Sequence, residues 1–357
     1  MKSGWTKCLL ISALAVVFFA GFAPRAESQA IAGSYIAYGD SITACFVVGT
    51  TGCYPFLLAP QILGSPTAIP TLFAYSGDQG CDATNVIFNR SSRALGSTEL
   101  DTLMISTNDA WVKGPGSYEA VFNTCQQAAI SWLSVPLQNK RTAANFCPQP
   151  AGWSQDKTYS EVIGLSSTTN GASITWPSLT TPANGVIYIW YRIIDGNGGQ
   201  FSYTVDGGAP SYALNTTIPS IATQNGGTQS VALLRITGLS AGAHTVVTKV
   251  VSATGAGNVV SILGIATPQV AATLLPVYVS GTPYQLNDQD SIATATYNTD
   301  IQNNILLLQS DGLNPVFVNV RAYNHGTPPE MFDQYHPNIP LGHMELFEAF
   351  YAAITGN

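Results

Sequence analysis

The sequence predicts an α/β protein with a parallel sheet, interrupted by an inserted β-sandwich of jelly-roll character. From residue 31 to about 150, and again from about 271 to 357, apolar runs of strand length alternate with helical stretches, the texture of βαβ units. Between 151 and 270 the chain turns to Thr, Ser, Gly and β-branched residues with almost no helical periodicity, as in a sandwich of short strands and Gly-rich turns. Only 9% of residues are charged against 46% hydrophobic, which suits an exported protein rich in strands and loops.

The first element is a leader. Lys2 and Lys7 precede an apolar run from Cys8 to Phe22, and small residues stand around Ala26 and Ala30, so residues 1–30 read as a signal peptide. The run is shorter than the roughly 20 apolar residues of a membrane span, and Cys8 lacks the small-residue context of a lipoprotein acceptor. The expected location is secreted or periplasmic, with no stable membrane anchor. Losing Lys2, Lys7 and Arg25 against Glu27 takes the net charge from −7 to −9. A surface so acidic, with no basic cluster, argues against nucleic acid and anionic membranes as partners.

In the first part, 31–150, strands are expected at 34–38 and 100–106 and helices at 54–63 and 118–137. Gly39, Asp40 and Ser41, and Asn108 with Asp109, then emerge at the carboxyl ends of strands, where parallel sheets collect their chemistry. In the insertion, strands are expected at 172–176, 186–194, 200–205, 230–236, 245–251 and 259–265, with turn-formers at 195–199, 206–208 and 225–227. The second part, 271–357, offers a strand at 273–279, a helix at 294–309, a strand at 316–320 and a closing helix at 342–354. Every block able to carry chemistry lies outside the insertion, which is therefore expected to fold as a separate unit whose removal leaves that chemistry in place. Of the five cysteines after Cys8, an odd number for an oxidising compartment, Cys45 with Cys53 and Cys125 with Cys147 are the expected pairs, leaving Cys81 over. No Cys/His cluster stands at zinc spacing, and neither a metal nor a cofactor is expected.

Ser41 follows an apolar strand through Gly39 and Asp40, a turn that can stand its hydroxyl at the sheet's edge. Alone, Gly-Asp-Ser is an ordinary turn. Near the other end, Asp333 lies three residues before His336; a carboxylate so placed can hold one ring nitrogen while the other takes a serine proton. Ser76-Gly77-Asp78 and Thr107-Asn108-Asp109 offer a backbone N–H and an amide side chain to a developing oxyanion, although each by itself is commonly a plain turn.

Together, Gly39-Asp40-Ser41, Ser76-Gly77-Asp78, Thr107-Asn108-Asp109 and Asp333-x-x-His336-Pro337-Asn338 resemble the four sequence blocks of the SGNH (GDSL-like) hydrolases, in that family's order. Tyr54-Pro55 and Gly342-His343 also resemble family habits. The resemblance covers 30–150 and 270–357. It implies a three-layer α/β/α sandwich around the parallel sheet, with Ser41 as nucleophile, His336 as general base and then acid, and Asp333 as its orienter. The N–H groups of Ser41 and Gly77 with the Asn108 side chain would form the oxyanion hole. The family's third block usually begins with glycine where this chain has Ser106, which implies a tighter backbone there with the Asn108 role intact. Gly80 could exchange roles with Gly77.

Other features are read as structural. Gly238-Leu239-Ser240-Ala241-Gly242 matches a nucleophile elbow, but a strand pattern follows where that motif needs a helix. Asp195-Gly196-Asn197-Gly198-Gly199 lacks the distant glutamate of a calcium loop. His244 and His343 are expected to be structural, while Trp111 and His325 are candidate substrate contacts. The function implied is hydrolysis of a carboxylic ester, with O-acetyl groups on a polysaccharide as candidate substrate. Rival readings are a lipase or short-chain esterase, an acyltransferase on the same triad, and a non-catalytic secreted glycan-binding protein.

Overall fold

The structure is a computed structural model that describes residues 30–90, 93–114, 116–159, 162–183, 185–196, 198–215, 225, 227–253, 258–268, 274–286 and 292–356. The expected signal peptide falls, apart from Ala30, outside the described residues. Along the chain the first part contributes β1 (Ser34–Gly39), α1 (Tyr54–Leu63), β2 (Thr71–Ala74), α2 (Gly80–Arg90), β3 (Glu99–Met104) and α3 (Ser117–Ser134). The middle contributes β4 (Ser154–Asp156), β5 (Gly164–Ser167), β6 (Ser173–Thr175), β7 (Leu179–Thr181), β8 (Gly185–Ile194), β9 (Gln200–Val205), β10 (Ser211–Asn215), β11 (Gln229–Leu239), β12 (Gly242–His244), β13 (Val246–Ser252) and β14 (Val260–Ala266). The last part contributes β15 (Val277–Ser280), α4 (Ile292–Ser310), β16 (Val316–Val318) and α5 (Leu341–Thr355).

Five strands form a parallel sheet in the order β16-β15-β3-β1-β2. Helices cover both of its faces, as its doubly apolar strands require. Tyr35 and Ala37 of β1 pack with Tyr54, Leu58 and Ile62 of α1 and Leu346 and Phe350 of α5. Tyr38, on the other face, joins Phe88 of α2, Phe122 of α3 and Ile301 of α4. α1 carries Pro55 in its first turn, where the missing N–H costs nothing, and stops at Gly64, whose φ of 65° is the left-handed helix end glycine tolerates best. The expected helix at 118–137 stops at Ser134, because Pro136 cannot continue the hydrogen-bond ladder.

The middle strands form antiparallel sheets β11-β8-β14-β5-β4 and β10-β9-β13-β6 and a small ribbon of β7 with β12, and Arg141 of the first part bridges Ile265 of β14. The first of these sheets lies against α2 and α3. Trp190 of β8 meets Trp132 of α3 edge-on at 5.0 Å and donates its indole N–H to Ser131 Oγ at 2.9 Å. Tyr159 packs on Phe88 at 5.9 Å and its hydroxyl bonds Asn85 Oδ1 at 2.7 Å. Buried residues of both halves thus belong to one continuous core.

The cysteines differ from expectation in one pair. Cys45 bonds Cys53, but Cys125 of α3 bonds Cys81 of α2, and Cys147 is free and exposed. Side-by-side packing of α2 and α3 brings together two thiols 44 residues apart, whereas Cys147 lies beyond the turn that follows α3.

Candidate active site

Gly39 ends β1 pressed against β3: a Cβ there would come within 2.4 Å of Met104 O and 2.2 Å of Thr43 Oγ1. The need is for close approach, since only glycine lets the two strand ends meet here. Asp40 is fully buried and accepts the Ile42 N–H at 3.0 Å, tightening the turn that carries Ser41. Burial pushes the Asp40 carboxyl up to about 7, with that N–H opposing. The loop beyond doubles back through Phe46 N–H to Ser41 O at 2.9 Å and is tied down by the Cys45–Cys53 bond.

From the far end of the chain, His336 Nε2 lies 2.9 Å from Ser41 Oγ. Its Nδ1 lies 2.9 and 2.8 Å from the two Asp333 oxygens. The three-residue spacing works because Asp333 Oδ1 also accepts the N–H groups of Tyr335 and His336, both at 2.8 Å, so the carboxylate builds the turn that presents the ring. Burial alone would raise Asp333, but those N–H groups and the His336 ring hold its carboxyl below the usual aspartate value. Asn338 anchors the segment, accepting Gly342 N–H at 3.1 Å and donating to Pro329 O at 2.5 Å.

Gly77 and Asn108 sit on neighbouring turns. Gly77 has φ 86°, a conformation glycine adopts without strain. Asn108 is nearly buried, and one hydrogen of its Nδ2 goes to Asp78 O at 2.9 Å; an amide nitrogen has a second. Gly80 is committed elsewhere, its N–H shared by both oxygens of Asp109 at 3.0 Å at the start of α2. Burial pushes Asp109 up to about 8, that N–H opposing. Ser106, where the resemblance has glycine, holds φ 132° and bonds Thr282 Oγ1 at 2.7 Å.

Trp111 is half-exposed on a π-helical turn (Asp109–Lys113), its ring 4.8 Å from that of Tyr335 in the triad turn. Phe46 covers His336 from another side at 5.5 Å, and Tyr75 and Phe332, also exposed, lie on the same turns. Sequence reasoning picked out Trp111 but passed over Phe46, Tyr75, Phe332 and Tyr335, which carry no motif. His325 is exposed, with Glu330 and Glu345 among its charge neighbours. Ser240 lies between β11 and β12 with no helix after it. Among the described residues, no group of three or more His, Cys, Asp or Glu side chains could hold a metal ion. No helix among them is long and apolar enough to cross a membrane.

No family model matches the chain, and no curated protein matches it. Among solved structures, it is similar to a two-domain esterase active on acetylated mannans, at 11% identity and TM-score 0.36, over 66% of this chain and 90% of that one. It is also similar to the C-terminal CBM6 module of the laminarinase LamC of Zobellia galactanivorans, at 19% identity and TM-score 0.28, over 36% and 98% of the two chains. A CBM6 module of Cellvibrio mixtus lichenase 5A gives 23% identity and TM-score 0.26, over 36% and 95%. Similarity this low leaves function to be read from the site itself.

Proposed function

We propose that this chain is a secreted serine esterase of the SGNH kind that hydrolyses carboxylic esters through an acyl-serine intermediate. The observation that carries the proposal is the continuous hydrogen-bonded chain from Ser41 through His336 to Asp333. In that arrangement His336 Nε2 accepts the Ser41 proton as Oγ attacks the ester carbonyl, and Asp333 fixes the ring's tautomer. The oxyanion is held by the N–H groups of Ser41 and Gly77 and the remaining Asn108 N–H. His336 then returns its proton to the departing alkoxide, and water repeats the sequence to free the acid. No step requires a metal or cofactor. The commitment of Gly80 N–H to Asp109 supports Gly77 as the donor.

O-acetyl groups on polysaccharide are the substrate we propose, with 31–150 and 271–357 as the hydrolase and 151–270 as the inserted unit. Trp111, half-exposed and against Tyr335 beside His336, offers a ring face suited to the apolar face of a sugar ring. The same exposed rim, with Phe46 and Phe332, favours a second reading, esters of longer acyl chains.

Purified protein is to be tested on nitrophenyl esters of increasing chain length beside acetylated glycans. Turnover should favour acetyl esters, and Ser41→Ala should lower kcat at least about 10⁴-fold and abolish fluorophosphonate labelling. Labelling retained in Ser41→Ala overturns the assignment of the nucleophile, and a preference for long chains selects the second reading.

A further inference from the structure

The inserted sandwich reaches the proposed oxyanion turn through one side chain. Asn225, four residues before β11, donates from Nδ2 to Ser76 O at 3.2 Å and to Asp78 Oδ1 at 2.6 Å. Its own Oδ1 stands 3.0 Å from where a Cβ on Gly77 would lie. A single carboxamide therefore brackets Gly77, binding the residue on each side of it.

Residues 75–78 form a β-turn closed by Asp78 N–H to Tyr75 O at 3.2 Å, with Gly77 in third position at φ 86°. Positive φ there marks a type II turn, which differs from type I by a half-rotation of the central peptide. That peptide joins Ser76 to Gly77. Being planar and trans, it points the Ser76 carbonyl and the Gly77 N–H in opposite directions, so whatever holds one aims the other. Glycine takes either sign of φ about equally, and the turn alone leaves both orientations within reach.

We propose that Asn225 is a positioning residue of the active site: by holding the Ser76 carbonyl it keeps the Gly77 N–H in the orientation that serves the oxyanion. The proposal rests on the esterase reading above, and it makes the sandwich part of the catalytic apparatus. The bond to Asp78 stops the carboxamide from rotating away. Asp78 is itself buried, and burial pushes its carboxyl up to about 7 while the Asn225 hydrogen bond opposes the rise. With two donors engaged, the amide serves where a hydroxyl, with one donor, would leave either Ser76 or Asp78 unserved.

The test is steady-state kinetics on nitrophenyl acetate, with the rate of fluorophosphonate labelling, for the full chain and for Asn225→Ala, Asn225→Asp and Asn225→Gln. Removing an oxyanion donor outright costs about 10²–10³-fold, and a donor free to turn away should cost less, about 10-fold to 30-fold. Asn225→Ala should therefore lower kcat and the labelling rate by that factor with KM and melting temperature unchanged. Asn225→Asp, which sets an acceptor against Ser76 O and Asp78, should be at least as poor, and Asn225→Gln should recover part of the loss. Wild-type kcat in Asn225→Ala, or an effect confined to KM, overturns the proposal while leaving the esterase intact. If wild-type protein neither turns over the ester nor labels at Ser41, it is the esterase reading that falls.

Discussion

The turns that make the proposed site and the sandwich inserted between them are held by contacts of opposite range. Three turns of the site carry their own chemistry: Asp333 bonds N–H groups two and three residues on, Asp40 the N–H two residues on, and Asp82 the N–H of Gln79; the turn at Gly77 also takes a distant bond, from Asn225. The middle strands are held to the parallel-sheet half by side chains distant in sequence. Asn85 Nδ2 bonds Gln229 O at 2.8 Å, Ser230 Oγ bonds Cys81 O at 2.9 Å, and Tyr188 joins Arg235 on Asp311. Short-range chemistry leaves a motif, whereas docking leaves only ordinary polar and aromatic residues. A stretch set apart by composition is thereby bonded to its neighbours at several points.

The largest test of this comparison is to delete residues 151–266 and join the ends with a short Gly/Ser linker. Composition alone leads one to expect a folded, active remainder. The shared core predicts the opposite, because Phe88 and Trp132 would lose Tyr159 and Trp190. Exposing half of two rings of about 200 Å² each costs on the order of 5 kcal/mol at about 25 cal/mol per Å², as much as the whole stability of many domains. The deletion variant should be insoluble or lack a cooperative melt. A soluble variant that melts cooperatively and turns over nitrophenyl acetate would restore the view of a detachable unit.

Much of this was legible beforehand where local physics sufficed. The helix at Tyr54–Leu63 and the strand at Gln200–Val205 lie where apolar runs meet Gly and Pro signals. The contact of Asp333 with His336 was legible because the Asp333 turn is its own hydrogen-bonded unit. Other elements gave little signal. Thr71–Ala74 is a four-residue edge strand, too short to show a period, and α2 opens on glycine and mixes polar residues through its length, so no apolar run marks it. The partner of Cys81 is set by helix packing, and the contact of Asn225 lies 149 residues away at Ser76, so neither leaves a local signal.

Two buried histidines should answer acid in opposite senses, against a background in which the raised carboxyls of Asp40 and Asp109 favour the folded state as pH falls. His343, in the first turn of α5, is buried and accepts the Tyr54 N–H on Nδ1 at 3.3 Å, serving a donor that α1 leaves unpaired. Burial, then the neighbouring His336, pushes it down from 6.5 to about 4. Between those values the unfolded chain binds more protons than the folded one, so stability falls as pH falls, by up to about 3 kcal/mol. In the sandwich, His244 holds Ser240 O and Asp206, which raise its pKa; its contribution is complete at low pH and fades as pH rises through the raised value. Hydrogen exchange between pH 6.5 and 4 should therefore loosen α1 and α5 before β12 and β13. Relative to wild type, His343→Gln should gain urea-unfolding free energy as pH falls over that window, and a difference that does not change with pH would remove His343 as a contributor.

The smallest expected effect separates backbone strain from side-chain bonding within the parallel-sheet half. Ser106 sits at φ 132°, where a Cβ costs about 1–3 kcal/mol, and its hydroxyl recovers part of that through the buried 2.7 Å bond to Thr282. Ser106→Gly and Ser106→Ala both lose that bond and leave the Thr282 hydroxyl in the same position, so the difference between them reports the backbone alone. At an ordinary strand end alanine would be the more stable by about 0.5–1 kcal/mol. Here glycine should be the more stable by about 1 kcal/mol in urea unfolding, with kcat kept, because Asn108 two residues on is held by Asp78 rather than by residue 106. If alanine proves the more stable, the positive φ is no burden, and the departure from glycine at this block needs no compensation from Thr282.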